Sequence, residues 1–206
     1  MSQPDHAPSL APRPRRWAHT LLRLAGWRID LPPPTAAKVL LIVYPHTSNW
    51  DFPLGLLARW ASGWPVRWIG KHTIFVGPFN RLFRSWGGIP VNRAATGGFI
   101  ETLAADIRRR DTLILAMAPE GTRRRQDYWK SGFLRIARAA DMQLGLVYID
   151  FATRTIGIRG YMTLSGDDAA DMARISDAYQ GVVGYHPELA SPIRLRPPAA
   201  AANNKP

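Results

Sequence analysis

The chain contains no cysteine, which excludes disulfides, zinc–thiolate centres and thiol catalysis. It also lacks any uncharged apolar run of about 18 residues, the length needed to span a bilayer. Its longest candidates, such as TLILAMA (112 to 118), have the length of a buried strand. No HExxH motif or clustered set of His, Asp and Glu ligands is present, so no metal is expected. The opening MSQPDHAPSLAPRPRR has no apolar core beside a small-residue cleavage site and reads as no secretion signal. Carboxylates are scarce as well: 27 Lys and Arg face 15 Asp and Glu, a formal charge of +12. A surface of that sign attracts nucleic acid, acidic lipid headgroups or an acidic carrier protein.

What is present suits one folded domain. A chain of 206 residues, 46% hydrophobic and 20% charged, can bury a single core and is short for two. Residues 1–12 and 197–206 are expected to be disordered, being rich in proline or small residues without a periodic apolar face. Residues 13–30 read as a basic amphipathic helix, with Trp17, Leu21, Leu24 and Trp27 or Arg28 at helical spacing. It can lie in the interfacial layer of a membrane or pack on the domain. After LPPPT (31 to 35) the patterns alternate. Strands are predicted at 38–44, 65–69, 112–118, 143–151 and 154–161, and helices at 51–61, 79–86, 96–110, 130–140 and 167–180. The expected fold is therefore α/β: a single domain at 31–196 with a central mixed sheet flanked by helices, plus the N-terminal amphipathic helix.

YPHTSNWDFPLG (44 to 55) places a histidine and an aspartate five residues apart. On a continuous helix they would be separated by about 140° of arc and could not meet. Pro45 ends the strand, Thr47, Ser48 and Asn49 are turn and cap residues, and Pro53 suits a first helical turn. In that arrangement Asp51 accepts the Nδ1 proton of His46 and leaves Nε2 free to take a proton from a hydroxyl. Three further stretches carry anion-binding residues. APEGTRRR (118 to 125) presents Glu120, Gly121, Thr122 and Arg123; DYWKSGF (127 to 133) adds Lys130; and GKHTIFVGPFNRLFRSWGGIPVNR (70 to 93) contains Lys71 and ends in Arg93.

Together these stretches resemble the glycerophospholipid acyltransferases, the lysophosphatidic acid acyltransferase superfamily. His46 to Asp51 matches its HX4D motif, GGIPVNR is similar to its second block, PEGTR to its third, and YWKSGF to the Lys-x-Gly element that follows. Two positions depart from the pattern: Pro45 stands where the family often has asparagine, and LGLVYIDF (144 to 151) lacks the Val-Pro core of the fourth block. The resemblance implies transfer of a fatty acyl group from a thioester, on coenzyme A or acyl carrier protein, to a lysolipid hydroxyl. The favoured acceptor is 1-acyl-glycerol-3-phosphate, giving phosphatidic acid, and another lysolipid such as a lyso-ornithine lipid is the alternative. The thioester is a co-substrate and no cofactor is implied.

His46 would be the general base, oriented by Asp51. Arg123 and Arg93, with Lys71 or Lys130 as added point charges, would bind a phosphate or carboxylate. Glu120 would orient the acceptor or hold the arginine loop, unless it forms a plain salt bridge. Gly121 suits a close approach or a positive φ, and Thr122 shares its loop. Backbone N–H groups in the 87–90 or 120–123 loops are possible oxyanion donors. His19, His72 and His186 lack a partner in a matching motif and are taken as structural or exposed. The expected location is peripheral, on the cytoplasmic face of an anionic membrane. Nucleic acid is not an expected partner, because the arginines are split among 13–16, 108–110 and 123–125 without a groove-reading motif. A non-catalytic protein of the anionic membrane surface would need the charge but not the motif blocks.

Overall fold

The structure, a computed structural model, describes residues 12–91 and 98–197. Along the chain run α1 (Arg16–Leu24), β1 (Arg28–Asp30), β2 (Lys38–Tyr44), α2 (Asp51–Ser62), β3 (Arg67–Lys71), α3 (Gly77–Ser85) and β4 (Gly88–Val91). They are followed by α4 (Phe99–Arg108), β5 (Leu113–Met117), α5 (Gly132–Ala139), β6 (Gln143–Asp150), β7 (Thr155–Met162) and α6 (Asp168–Ala178). The seven strands form one mixed sheet in the order β1-β7-β6-β2-β5-β3-β4. From β6 to β4 all neighbours are parallel; β7 is antiparallel to β6, and β1 is parallel to β7.

KVLLIV is a continuous apolar run because β2 lies mid-sheet and is covered on both faces. Alternate side chains go to opposite sides. Leu40 and Ile42 join a core with Ile107 of α4, Phe133 and Leu134 of α5 and Ile175 of α6. Val39 and Leu41 face the other way, with Val147 of β6 and Ile158 of β7. On that side α2 and α1 provide the cover: Ala18 and Leu22 of α1 pack with Leu54, Ala58 and Ala61 of α2. Full burial of such aliphatic and aromatic side chains contributes about 1.5–3 kcal/mol each.

Two expectations change. The helix predicted over 13–30 ends at Leu24; Gly26 takes φ 78°, and Arg28–Asp30 pairs with Thr155–Gly157 as β1. Tertiary pairing overrides the helical spacing of Trp27 and Arg28. The 87–90 segment, taken as a loop, leads instead into the edge strand β4, Gly88–Val91. An edge tolerates Pro90 because its missing N–H faces away from the ladder. Gly88 is needed there, since a Cβ would sit 2.7 Å from the Phe83 carbonyl oxygen. Predicted disorder at the two ends falls almost entirely outside the described residues, and so does Arg93.

Candidate active site

Because β2, β3 and β5 are parallel, their carboxyl ends lie along one edge of the sheet. That edge is where open α/β sheets bind ligands. The turn after β2 carries His46, β3 ends in Lys71, and the loop after β5 carries residues 118–125. Parallel pairing thus brings together residues more than 70 positions apart in sequence, as in the Glu120–His46 contact.

Between Tyr44 and α2 the chain makes the turn that the histidine needs. The Tyr44–Pro45 peptide bond is cis. Asp51 is the first residue of α2, where the helix dipole favours a negative charge. Its Oδ2 accepts the Ser48 N–H at 2.9 Å and faces His46 Nδ1 at 3.1 Å. The aspartate side chain is 2% exposed and the histidine 22%. A carboxylate only accepts, so Nδ1 carries the proton and Nε2 is the basic nitrogen. The Asp51 Oδ1 is buried with no hydrogen-bond partner among the described residues.

Glu120 lies behind this turn. It is fully buried and absent from the cavity wall, and its two oxygens accept backbone N–H groups: Oε2 from His46 at 2.6 Å and Oε1 from Ser191 at 2.9 Å. Glu120 therefore faces the backbone of the turn, and among the described residues it forms no ion pair with an arginine or lysine. Burial pushes its carboxyl above the usual range, and the bonds from Ser191 and His46 oppose that rise. The segment around Ser191 braces the turn elsewhere too. The His186 N–H donates to Thr47 Oγ1 at 3.2 Å, and Gly184 lies so close to Thr47 that a Cβ would fall 2.8 Å from the same oxygen. Gly184 and Ser191 carry no signal in the sequence, and Thr47 reads there only as a turn residue, because their partners lie far along the chain.

A cavity of about 730 Å³ runs between α2 and the sheet, within the ordinary range of ligand sites. Its polar lining includes His46, Asp51, Lys71, Thr122 and Arg123, and its apolar lining includes Leu41, Val43, Val147 and Ile156. Phe52, Gly55, Leu56 and Arg59 of α2 line it at the spacing of one helical face. Gly121 is also in the lining, at φ 70°, a conformation that favours glycine. Lys71 and Arg123 are exposed. Lys130 is exposed but does not line the cavity; its N–H donates to the Pro119 carbonyl at 3.1 Å. Of the two loops considered for oxyanion donors, one reaches the cavity through residues 121–123, whereas 87–90 is taken up by the edge of β4. His19 and His72 are exposed, and His186 faces Glu188 at 3.6 Å.

A profile of the acyltransferase family matches residues 31–150, the span that builds β2 through β6. The chain belongs to this family. In three dimensions this acyltransferase is similar to the 1-acyl-sn-glycerophosphate (LPA) acyltransferase PlsC from Thermotoga maritima. The TM-score is 0.54 at 15% identity, over 79% of this chain and 73% of that one; at this identity the likeness is one of fold. No curated protein sequence matches the chain.

Glu120→Gln keeps one acceptor oxygen but turns an amide NH2 towards a backbone N–H. Unfolding free energy is expected to fall by about 1–3 kcal/mol, measured by urea denaturation. The raised carboxyl makes the wild type lose stability as pH rises from the ordinary carboxylate range through the folded value, because the folded chain holds the proton more tightly. Glu120→Gln should flatten that part of the pH–stability curve.

Proposed function

We propose that this acyltransferase moves a fatty acyl group from a thioester, on coenzyme A or acyl carrier protein, to the hydroxyl of a lysolipid. The preferred acceptor in this reading is 1-acyl-glycerol-3-phosphate, and the product is phosphatidic acid. The observation that carries the proposal is the His46–Asp51 pair in the lining of an apolar cavity whose lining also bears Lys71 and Arg123.

His46 Nε2 takes the proton of the acceptor hydroxyl as its oxygen attacks the thioester carbonyl, and Asp51 stabilises the imidazolium that forms. The tetrahedral intermediate collapses, breaking the C–S bond, and the imidazolium returns the proton to the departing thiolate. Acceptor oxygen thus replaces sulfur on the acyl carbon, with no covalent enzyme intermediate and no change of oxidation state. The fatty chain occupies the apolar length of the cavity. Arg123 binds the acceptor phosphate through paired N–H groups, with Lys71 as a nearby point charge. In the alternative, a zwitterionic lysolipid such as a lyso-ornithine lipid takes the same place and relies less on these cations.

The test is acyl transfer in detergent micelles with labelled thioesters and a panel of lysolipids. His46→Ala should lose about 10²–10⁴-fold in turnover, the usual contribution of a general base; turnover equal to wild type would remove His46 from the chemistry. Arg123→Ala should raise KM or lower turnover far more with a phosphate-bearing acceptor than with a zwitterionic one, and equal effects on both would count against the phosphate assignment. Gly55→Leu adds a side chain on the cavity face of α2, where a Cβ meets nothing within 4 Å. It should shift preference towards shorter acyl donors without loss of thermal stability, since leucine favours a helix interior over glycine by roughly 0.5–1 kcal/mol. An unchanged chain-length profile would place the acyl group elsewhere.

A further inference from the structure

The proposed chemistry uses one end of the cavity and leaves a charged side chain of its lining without a task. Arg59 lies on the same face of α2 as Phe52, Gly55 and Leu56 and lines the cavity with them. It stands two turns beyond Asp51, about 12 Å further along the helix axis. Ser62, whose hydroxyl donates to the Arg59 carbonyl at 3.0 Å, and Val66 line the cavity beside it.

The guanidinium is only partly engaged. Its Nε–H donates to the Val66 carbonyl at 2.7 Å, which ties the end of α2 to the start of β3. Among the described residues its two Nη groups have no hydrogen-bond or ion-pair partner. Asp51 is the one carboxylate in the described lining, and it faces His46 at the other end. A second cation acts on Arg59 as well: burial first and the charge of Arg15 second hold its pKa below the usual guanidinium value. A half-buried cation with unused donors and a like charge acting on it is costly unless a ligand supplies the missing partner.

A guanidinium only donates, so the missing partner is an oxygen acceptor. The ligand placed along this cavity is an acyl chain. A methyl-ended chain long enough to reach Arg59 displaces solvent from the Nη groups and offers them nothing. A chain whose far end carries a hydroxyl or carboxylate oxygen gives them a charge-assisted hydrogen bond instead. Sites built to hydrogen-bond a ligand oxygen discriminate strongly against the analogue that lacks it.

We infer that Arg59 forms a polar end site in the acyl cavity, which selects acyl chains bearing an oxygen at their far end, as hydroxyl or carboxylate, over methyl-ended chains of the same length. As a choice of acyl donor this rests on the acyltransferase reading; as a binding preference it stands apart from it. An Arg59 that served only to hold the Val66 carbonyl would show no such preference.

The experiment is calorimetric binding of three thioether analogues, which cannot be transferred, to the full chain: dodecyl-coenzyme A and its ω-hydroxy and ω-carboxy derivatives. Turnover of the matching dodecanoyl thioesters on a panel of lysolipids in detergent micelles is measured alongside. The wild type should bind at least one oxygenated analogue about tenfold or more tightly than the methyl-ended one, the effect of one hydrogen bond to a charged group. Preference for the hydroxyl or for the carboxylate identifies which oxygen is read. Arg59→Met, which keeps an apolar stem, should bring the ratio to about one or below, and Arg59→Lys, which keeps a cation, should retain a preference for the oxygenated chain. A ratio of two ligands in one preparation does not depend on how much of a variant is folded, so loss of the Val66 bond cannot mimic the result. The inference is overturned if the wild type binds the three analogues equally, binds none or prefers the methyl-ended one, or if Arg59→Met keeps the wild-type ratio. Selective binding without turnover of any thioester sinks the acyltransferase reading and leaves the end site standing. Turnover with equal binding of the three analogues does the reverse.

Discussion

One buried carboxylate ties the site to the rest of the fold. Glu120 has no exposed surface, and its oxygens are divided between the backbone N–H of the histidine and that of Ser191. Leaving either donor unpaired in the interior would cost on the order of 1–3 kcal/mol. The loop after β5, the turn after β2 and the C-terminal segment are therefore held as one unit. The His46 ring, fixed from the other side by Asp51, inherits its position from that unit.

The two faces of the sheet are used differently. On one, α4, α5 and α6 bury a continuous apolar layer around Phe133 and Ile107, which supplies rigidity. On the other, α2 stands off the strands enough to leave the cavity, with Gly55 and Ala58 as the small residues of its inner surface. The same helix begins with Asp51, the carboxylate facing His46, packs with Ala18 and Leu22 of α1, and contributes Trp60 to a row of aromatic contacts. A single element thus relates the histidine, the apolar volume and the guanidinium of Arg59.

Much of the architecture was legible because local pattern and tertiary need coincide. β2, α2, β5, α5, β6, β7 and α6 lie within about two residues of their predicted bounds, where apolar runs or helical stripes are long. Two short strands, β1 and β4, were not legible. β1 has three residues and exists through pairing with β7, and β4 contains two residue types, glycine and proline, that usually argue against a strand. At the site, HTSNWD announced its turn through residues adjacent in sequence, whereas Glu120 was grouped with the arginines beside it and proved to face the other way.

The sequence by itself determined the family, through motif blocks whose order and residue types are local properties, and it determined the α/β character, because hydrophobic period follows from backbone geometry. It also set the sign of the surface charge. Tertiary structure alone decided that Glu120 is buried against the backbone of the His46 turn, that Lys71 and Arg123 line one cavity while Lys130 stands outside it, and that α1 and α3 lie on one side. Those facts depend on parallel strands aligning their carboxyl ends and on helices crossing the sheet, contacts between residues tens of positions apart that no short stretch encodes.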